Sequence, residues 1–434
     1  MSPLSSLLPA ACVAGLMLAP CALAGLALIN TGLGRSRNAA HSMMASMVAV
    51  AVAAVAYMVF GFSWQGVAGG PAYGVRAGAT LWNWIAAEPL FMRGVNADSA
   101  GFPTSGLVAW MGLSGAALAA LIPIGAGGER WRLMSISAST ALLAGWTYPL
   151  FAHWAWGGGW LATLGTNFGL GRGFVDLGGA GAIHVTGGFT ALSIAWIIGP
   201  RRGKFSADGM PSAIPGHNAV FILFGCLLAL AGWTGLNIAG AILFAQADTP
   251  RLALAGLNTF LSAGAAALGS ALMTRTRFGK PDASLSANGW VGGLVASSAS
   301  CAFLPPLAAV LIGLVAGALV TLSVEWLELH LNIDDPGGAI SVHAVSGLWG
   351  LLALGAFDHL PGSSGSGQWL AQLVGVATLL GFVFPLTYGL NWALDRIAPQ
   401  RVGPDGERQG MDLHELGANA YPELVSHLED FLQR

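Results

Sequence analysis

The chain has 434 residues, of which 55% are hydrophobic and only 9% charged, against about 25% charged in an ordinary soluble domain. That composition excludes a soluble globular protein and places the chain in a lipid bilayer. A formal net charge of -2, with no Lys/Arg-rich block, speaks for no nucleic-acid surface.

The first apolar stretch, near residues 7 to 29, lacks the basic n-region of a signal peptide and is followed at once by further spans. It reads as a first transmembrane helix, with cleavage near "CALAG" as the alternative. A helix needs about 20 apolar residues to cross a hydrocarbon core about 30 Å thick. Uncharged runs of that length predict eleven spans, centred near Leu18, Ala51, Ala116, Ala141, Phe189, Leu227, Leu261, Val295, Val315, Leu348 and Leu380. The eighth and ninth meet at Pro305-Pro306. The segment from about residue 63 to 104, with "SWQG" and "LWNWIAAEP", is predicted to lie outside and to carry a short interfacial helix. Four cysteines, Cys12, Cys21, Cys226 and Cys301, stand inside apolar runs without CxxC spacing and read as small buried hydrophobes.

Short cytoplasmic loops retain Lys and Arg. With the N-terminus outside, fourteen basic residues (Arg35, Arg37, Arg130, Arg132, Arg201, Arg202, Lys204, Arg275, Arg277, Lys280, Arg396, Arg401, Arg408 and Arg434) fall inside and four (Arg76, Arg93, Arg172 and Arg251) outside. The expected architecture is an all-α integral membrane domain, residues 1–394, with an external N-terminus and a cytoplasmic tail, residues 395–434. The tail carries "GPDGERQG" and then the helix-like "PELVSHLEDFLQR".

Two strings repeat. "DLGGAGAIH" (176–184) and "DPGGAISVH" (335–343) both fit D-x-G-G-A-x-x-I/V-H, with glycines recurring at Gly188 and Gly347. The copies lie on the fifth and tenth spans, which predicts two five-helix inverted repeats plus a final helix. If helix runs from each Asp to its His, eight residues at about 1.5 Å rise carry the chain about 12 Å inward. Entering from opposite faces, His184 and His343 meet near the midplane, and the glycine-rich shoulders let the helices approach closely. The plainer account is a satisfied core histidine. Intramembrane ionisable residues mark pathways or relays, however, and two in matching positions favour that role. A metal site has little support, because no third ligand stands at useful spacing. Asp176 and Asp335 read as N-terminal helix caps.

With "AHWAWGGGWL", "VDLGGAGAIHVTGG", "DDPGGAISVHAVSGLWG" and "GMDLHELGANAY" in view, the chain resembles the ammonium transporter family (Amt/Mep/Rh), most strongly its Amt/Mep branch, from "GLGRSRN" to Tyr421. The resemblance implies a multi-pass homotrimer of the plasma or inner membrane with one pore per subunit. It implies ammonium or ammonia as substrate, no cofactor or metal, no enzymatic activity, and regulation through the tail by a PII-type protein. His184 and His343 match the family's twin pore histidines. Trp156 matches the tryptophan that recruits the cation at the outer mouth, and Asp176 the acidic residue supporting it. A Trp face attracts a cation by about 0.5 to 2 kcal/mol. Beyond it a bare ammonium ion meets a far larger penalty than ammonia, so deprotonation at the entrance is the lower-energy route.

Several family positions are altered. The two phenylalanines that close the outer mouth fall at Gly115 and Leu236, and the serine that accepts from the cation falls at Gly240. The aromatic pair at the inner end of the first span falls at Ile29 and Asn30, and the tail's E-H-G-E appears as Glu415, Leu416, Gly417 and Ala418, a departure from the pattern PII control uses. Two classes of function follow. A conducting transporter with a less aromatic mouth is favoured over a weakly conducting ammonium sensor, because no kinase or cyclase sequence follows the spans. A membrane enzyme using His184 and Asp176 has no nucleophile or cofactor motif to support it.

Overall fold

A computed structural model of the chain describes residues 3–78, 80–95, 104–357 and 367–421. Among them, eight helical stretches are long and apolar enough to cross a membrane: Leu7–Leu33, Ser36–Gln65, Ser105–Gly127, Ala180–Ile198, Ala219–Ala245, Thr249–Phe278, Pro306–Leu331 and Gly367–Ile397. The remaining predicted centres fall on a broken helix over 133–155, on Ala283–Ser297 and on the shorter apolar Ile340–Ala356. The first stretch breaks at Leu18, beside Pro20, whose ring nitrogen offers no helical donor.

The segment after Gln65 departs from expectation. Where an interfacial helix was predicted, the strands β1 (Ala72–Ala77) and β2 (Thr80–Ala86) form an antiparallel hairpin. "TLWNWIA" is rich in β-branched and aromatic residues and alternates on a pleated strand. Trp82 and Trp84 stack on each other at 5.9 Å between centroids and both pack on Trp160. The Trp154 indole donates to the Trp84 carbonyl at 2.7 Å, fixing the hairpin over the 148–168 region. The stretch 96–103, and with it the end of that prediction, lies outside the described residues, as does "PELVSHLEDFLQR".

The helices meet through small residues. A Cβ on Gly25 would lie 2.6 Å from the Gly225 carbonyl, and one on Gly225 equally close to the Gly25 carbonyl. Only glycine at both positions permits that approach, the usual means of packing helices without a hydrophobic driving force. Large apolar side chains such as Val220, Leu268 and Phe260 point outward instead, as a lipid-facing surface requires.

At the arginine-rich end, charges placed on surface loops by sequence turn out to be buried. Arg201 donates to both Asp334 oxygens at 2.8 and 3.0 Å and to Glu129 at 2.8 Å, and Glu129 also holds Arg35. Fully buried Arg130 donates to the carbonyls of Gly199, Gly128 and Asp334. Burial lowers the Arg130 pKa to about 10. Burial would raise that of Asp334, but Arg130 and Arg201 outweigh it and hold the carboxyl at about 2. The network ties the ends of Ser105–Gly127 and Ala180–Ile198 to the loop leading into His343.

The described part of the tail docks on the same end. Asp412 accepts from the backbone amides of Ala40 and His41 at 3.1 and 2.7 Å, capping the free donors of the second helix. Glu415 accepts from Leu133 and pairs with His41 at 2.9 Å. Arg401 binds the carbonyls of Ile198 and Pro200 and the Glu407 carboxylate.

Candidate functional site

The helix does not begin at each repeated Asp, as the sequence suggested. It begins only at Ala180 and Ile340, and both copies open on a six-residue π turn, Ala180–Val185 and Ile340–Val345. The residues between each Asp and its helix form bends and turns, and the Asp side chain bridges to the start of the helix. Asp176 Oδ2 accepts from Gly181 and Ala182 at 3.0 and 2.9 Å, and Asp335 accepts from Ala339 and Ile340 at 3.0 and 2.7 Å. These bonds satisfy orphan donors at helix starts. Burial pushes both carboxyls up to about 6, against the lowering effect of these amides.

The π turn widens the helix at the histidine, a distortion frequent at functional sites. Thr186 and Ser346 hydroxyls each bond back five residues, to the Gly181 and Ser341 carbonyls. Both histidines are 1% exposed, their ring centroids are 5.3 Å apart, and the rings are inclined by 30°. Trp233, from the 219–245 helix, lies parallel to His184 at 5.1 Å and 7°. The Nδ1 atoms of both histidines are buried without a hydrogen-bond partner. A pair of neutral imidazoles offers donor and acceptor nitrogens side by side in an apolar surround. Among the described residues no group of three metal-ligating side chains stands together.

Trp156 and Asp176 meet at one end of this arrangement. The Trp156 indole donates to the Asp176 carbonyl at 2.5 Å, and Asp176 Oδ1 is buried without a partner. A cavity of about 130 Å³ is lined by Trp156, Asp176, Leu177, Arg172, Phe244 and Phe303 among others. The altered positions are filled differently from one another. A side chain on Gly115 would run into Tyr148 and Ile183, and one on Gly240 into the Leu177 carbonyl, while Leu236 is buried. A serine at 240 has no room here, so Gly240 reflects close packing of the 176–178 segment on the helix. Two aromatic residues were missed by sequence reasoning: Trp233, although it stands in "GWTGLN", and Phe244, stacked on Trp156 at 4.5 Å and 4°.

Comparison with known proteins identifies the family. The model of the Ammonium Transporter Family matches residues 10–421. The chain belongs to the ammonium transporter family. It is 36% identical over 427 residues to "Ammonium transporter Amt2" of Archaeoglobus fulgidus, covering 93% of this chain and 85% of that one. It is 27% identical to the "Ammonium transporter" of Bacillus subtilis, covering 92% and 95%. Among solved structures, "Sensor Amt Protein" superposes with a TM-score of 0.83 at 27% identity over 93% of this chain and 97% of that one. Saccharomyces cerevisiae Mep2 superposes with a TM-score of 0.75 at 25% identity, covering 91% and 87%. The chain is accordingly a multi-pass membrane protein of a family of transporters rather than enzymes, and its all-helical membrane region has the Amt/Mep fold.

Proposed function

We propose that the chain carries ammonium-derived nitrogen across the bilayer, recruiting the cation at Trp156 and Asp176 and passing neutral ammonia along His184 and His343. One observation carries this reading: two imidazoles from sequence-related segments face each other at 5.3 Å in an otherwise apolar interior. An ammonium ion stripped of water faces a cost of many kcal/mol there, while ammonia loses only hydrogen bonds that imidazole nitrogens can replace. The proton is left at the mouth or handed along the paired rings.

The same reading assigns eleven spans in two inverted five-helix repeats plus a final helix, an external N-terminus, and a membrane domain to residue 394 followed by the cytoplasmic tail. It assigns a homotrimeric assembly. The tail's departure from E-H-G-E at Leu416 and Ala418, with Glu415 engaged by His41 and Leu133, argues against a standard PII interaction. A second reading, an ammonium sensor of the same fold, draws on the Phe244 ring covering Trp156 and on the likeness to "Sensor Amt Protein".

Ammonium pulses on proteoliposomes adsorbed to a supported membrane separate the two. An ammonium-dependent current that is lost in His184→Ala and His343→Ala supports transport through the pair. No current or pH change in the unmutated protein sinks it, and a current surviving both substitutions overturns the pore assignment.

A further inference from the structure

The outer mouth contains an arrangement that cation recruitment by itself does not need. A cation binds tryptophan over the ring face, within about 6 Å of the centroid. In this chain a face of Trp156 is occupied by Phe244, parallel within 4° and 4.5 Å away. The indole cannot turn freely, because its N–H is held by the Asp176 carbonyl. Phe244 sits near the end of the 219–245 helix, is partly buried and lines the same cavity as Trp156, Asp176 and Leu177. Gly240, one turn earlier, packs closely against the Leu177 carbonyl, so the helix that carries Phe244 lies directly on the segment after Asp176. Arg172 and Arg251 stand over Phe303 at 6.0 and 5.1 Å, with Phe303 and Arg172 lining the cavity, so positive charge also borders the entrance.

We propose that Phe244 determines the affinity of this mouth: its ring occupies the Trp156 face that a cation would use, so ammonium binds there only by displacing it. The proposal rests on the reading of Trp156 as the recruitment residue. Gly115, Leu236 and Gly240 leave the mouth without its usual rings and hydroxyl, and Phe244 supplies an aromatic group in a position where it competes with the cation instead of assisting it. A stacked aromatic pair is worth enough to raise the concentration needed for half-occupancy by about 2- to 10-fold.

The test titrates the full-length protein with ammonium chloride by calorimetry in detergent, and in parallel measures half-saturation of the ammonium-evoked current in proteoliposomes. Phe244→Ala is expected to lower the half-saturating concentration by about 2- to 10-fold, Phe244→Leu to lower it less, and Phe244→Trp to leave it near the unmutated value. The Phe244→Ala gain must disappear in a Trp156→Leu background, which a purely structural effect of the substitution would not produce. An unchanged or raised half-saturating concentration in both Phe244→Ala and Phe244→Leu overturns the proposal, as does a gain that survives Trp156→Leu. Absence of current with a normal calorimetric titration counts against transport and leaves the role of Phe244 to be decided by the titration.

Discussion

Gly347 of one histidine-bearing helix lies against the Ala180 carbonyl of the other, 2.8 Å from the place its Cβ would occupy, and Gly188 lies equally close to the Ala344 Cβ in return. Each glycine therefore touches the π turn that carries the opposite histidine. The two rings are spaced by this reciprocal contact.

Gly188→Ala and Gly347→Ala are expected to push the turns apart. Overpacking of this kind costs about 1–3 kcal/mol, read as a lowered melting temperature in detergent. Both variants should lose ammonium current out of proportion to that loss, because the imidazoles separate. Undiminished current in a folded Gly347→Ala protein contradicts the spacing role.

Trp233 backs His184, and its indole N–H is buried without a partner. Trp233→Phe keeps a flat ring beside His184 and removes the unsatisfied donor, so it should leave stability within about 1 kcal/mol of the parent or raise it. Trp233→Ala leaves a cavity and should cost about 3–5 kcal/mol. Thermal melts of the two variants check both numbers.

Removing the charge of Asp334 leaves buried Arg130 and Arg201 short of a counter-charge. Asp334→Asn should destabilise by about 3 kcal/mol or more at pH 7.5. The folded carboxyl is held at about 2, below its ordinary value of 3.8. Its contribution is therefore fully present above about pH 4 and is lost only as pH falls toward 2. The gap between the two proteins should be equal at pH 7.5 and 4.5, and a gap that closes by pH 4.5 contradicts the assigned ion pairing.

Asp412 holds the tail by accepting two amide hydrogens at the start of the second helix. Asp412→Ala should cost about 0.5–2 kcal/mol and free the preceding segment, where Arg408 is exposed. Limited trypsin digestion should then cut at Arg408 faster than in the unmutated protein. Equal cutting rates place the anchor elsewhere, on Glu407 and Glu415.

The histidine pair was legible because each copy of the motif is contiguous and the two copies match. Trp233 and Phe244 were not, since their partners His184 and Trp156 lie 49 and 88 positions away in the chain, and one Trp among 16 carries no local signal. The hairpin at Ala72–Ala86 was read as an interfacial helix because a short apolar run does not separate helix from strand by periodicity. The π turns were invisible for a related reason: a one-residue widening leaves composition unchanged.

Composition and hydropathy alone determined a bilayer environment, because so few charges leave too little polar surface for water. The repeated Asp-to-His string alone singled out His184 and His343, and together with "AHWAWGGGWL" and "GMDLHELGANAY" it pointed to the family. Only the tertiary structure decided how the rings face each other, since that depends on glycine contacts between helices distant in sequence. It also decided that Arg130 and Arg201, counted as loop charges, are buried partners of Asp334, and that Phe244 covers Trp156. Such facts belong to pairs of residues that only the folded chain brings together.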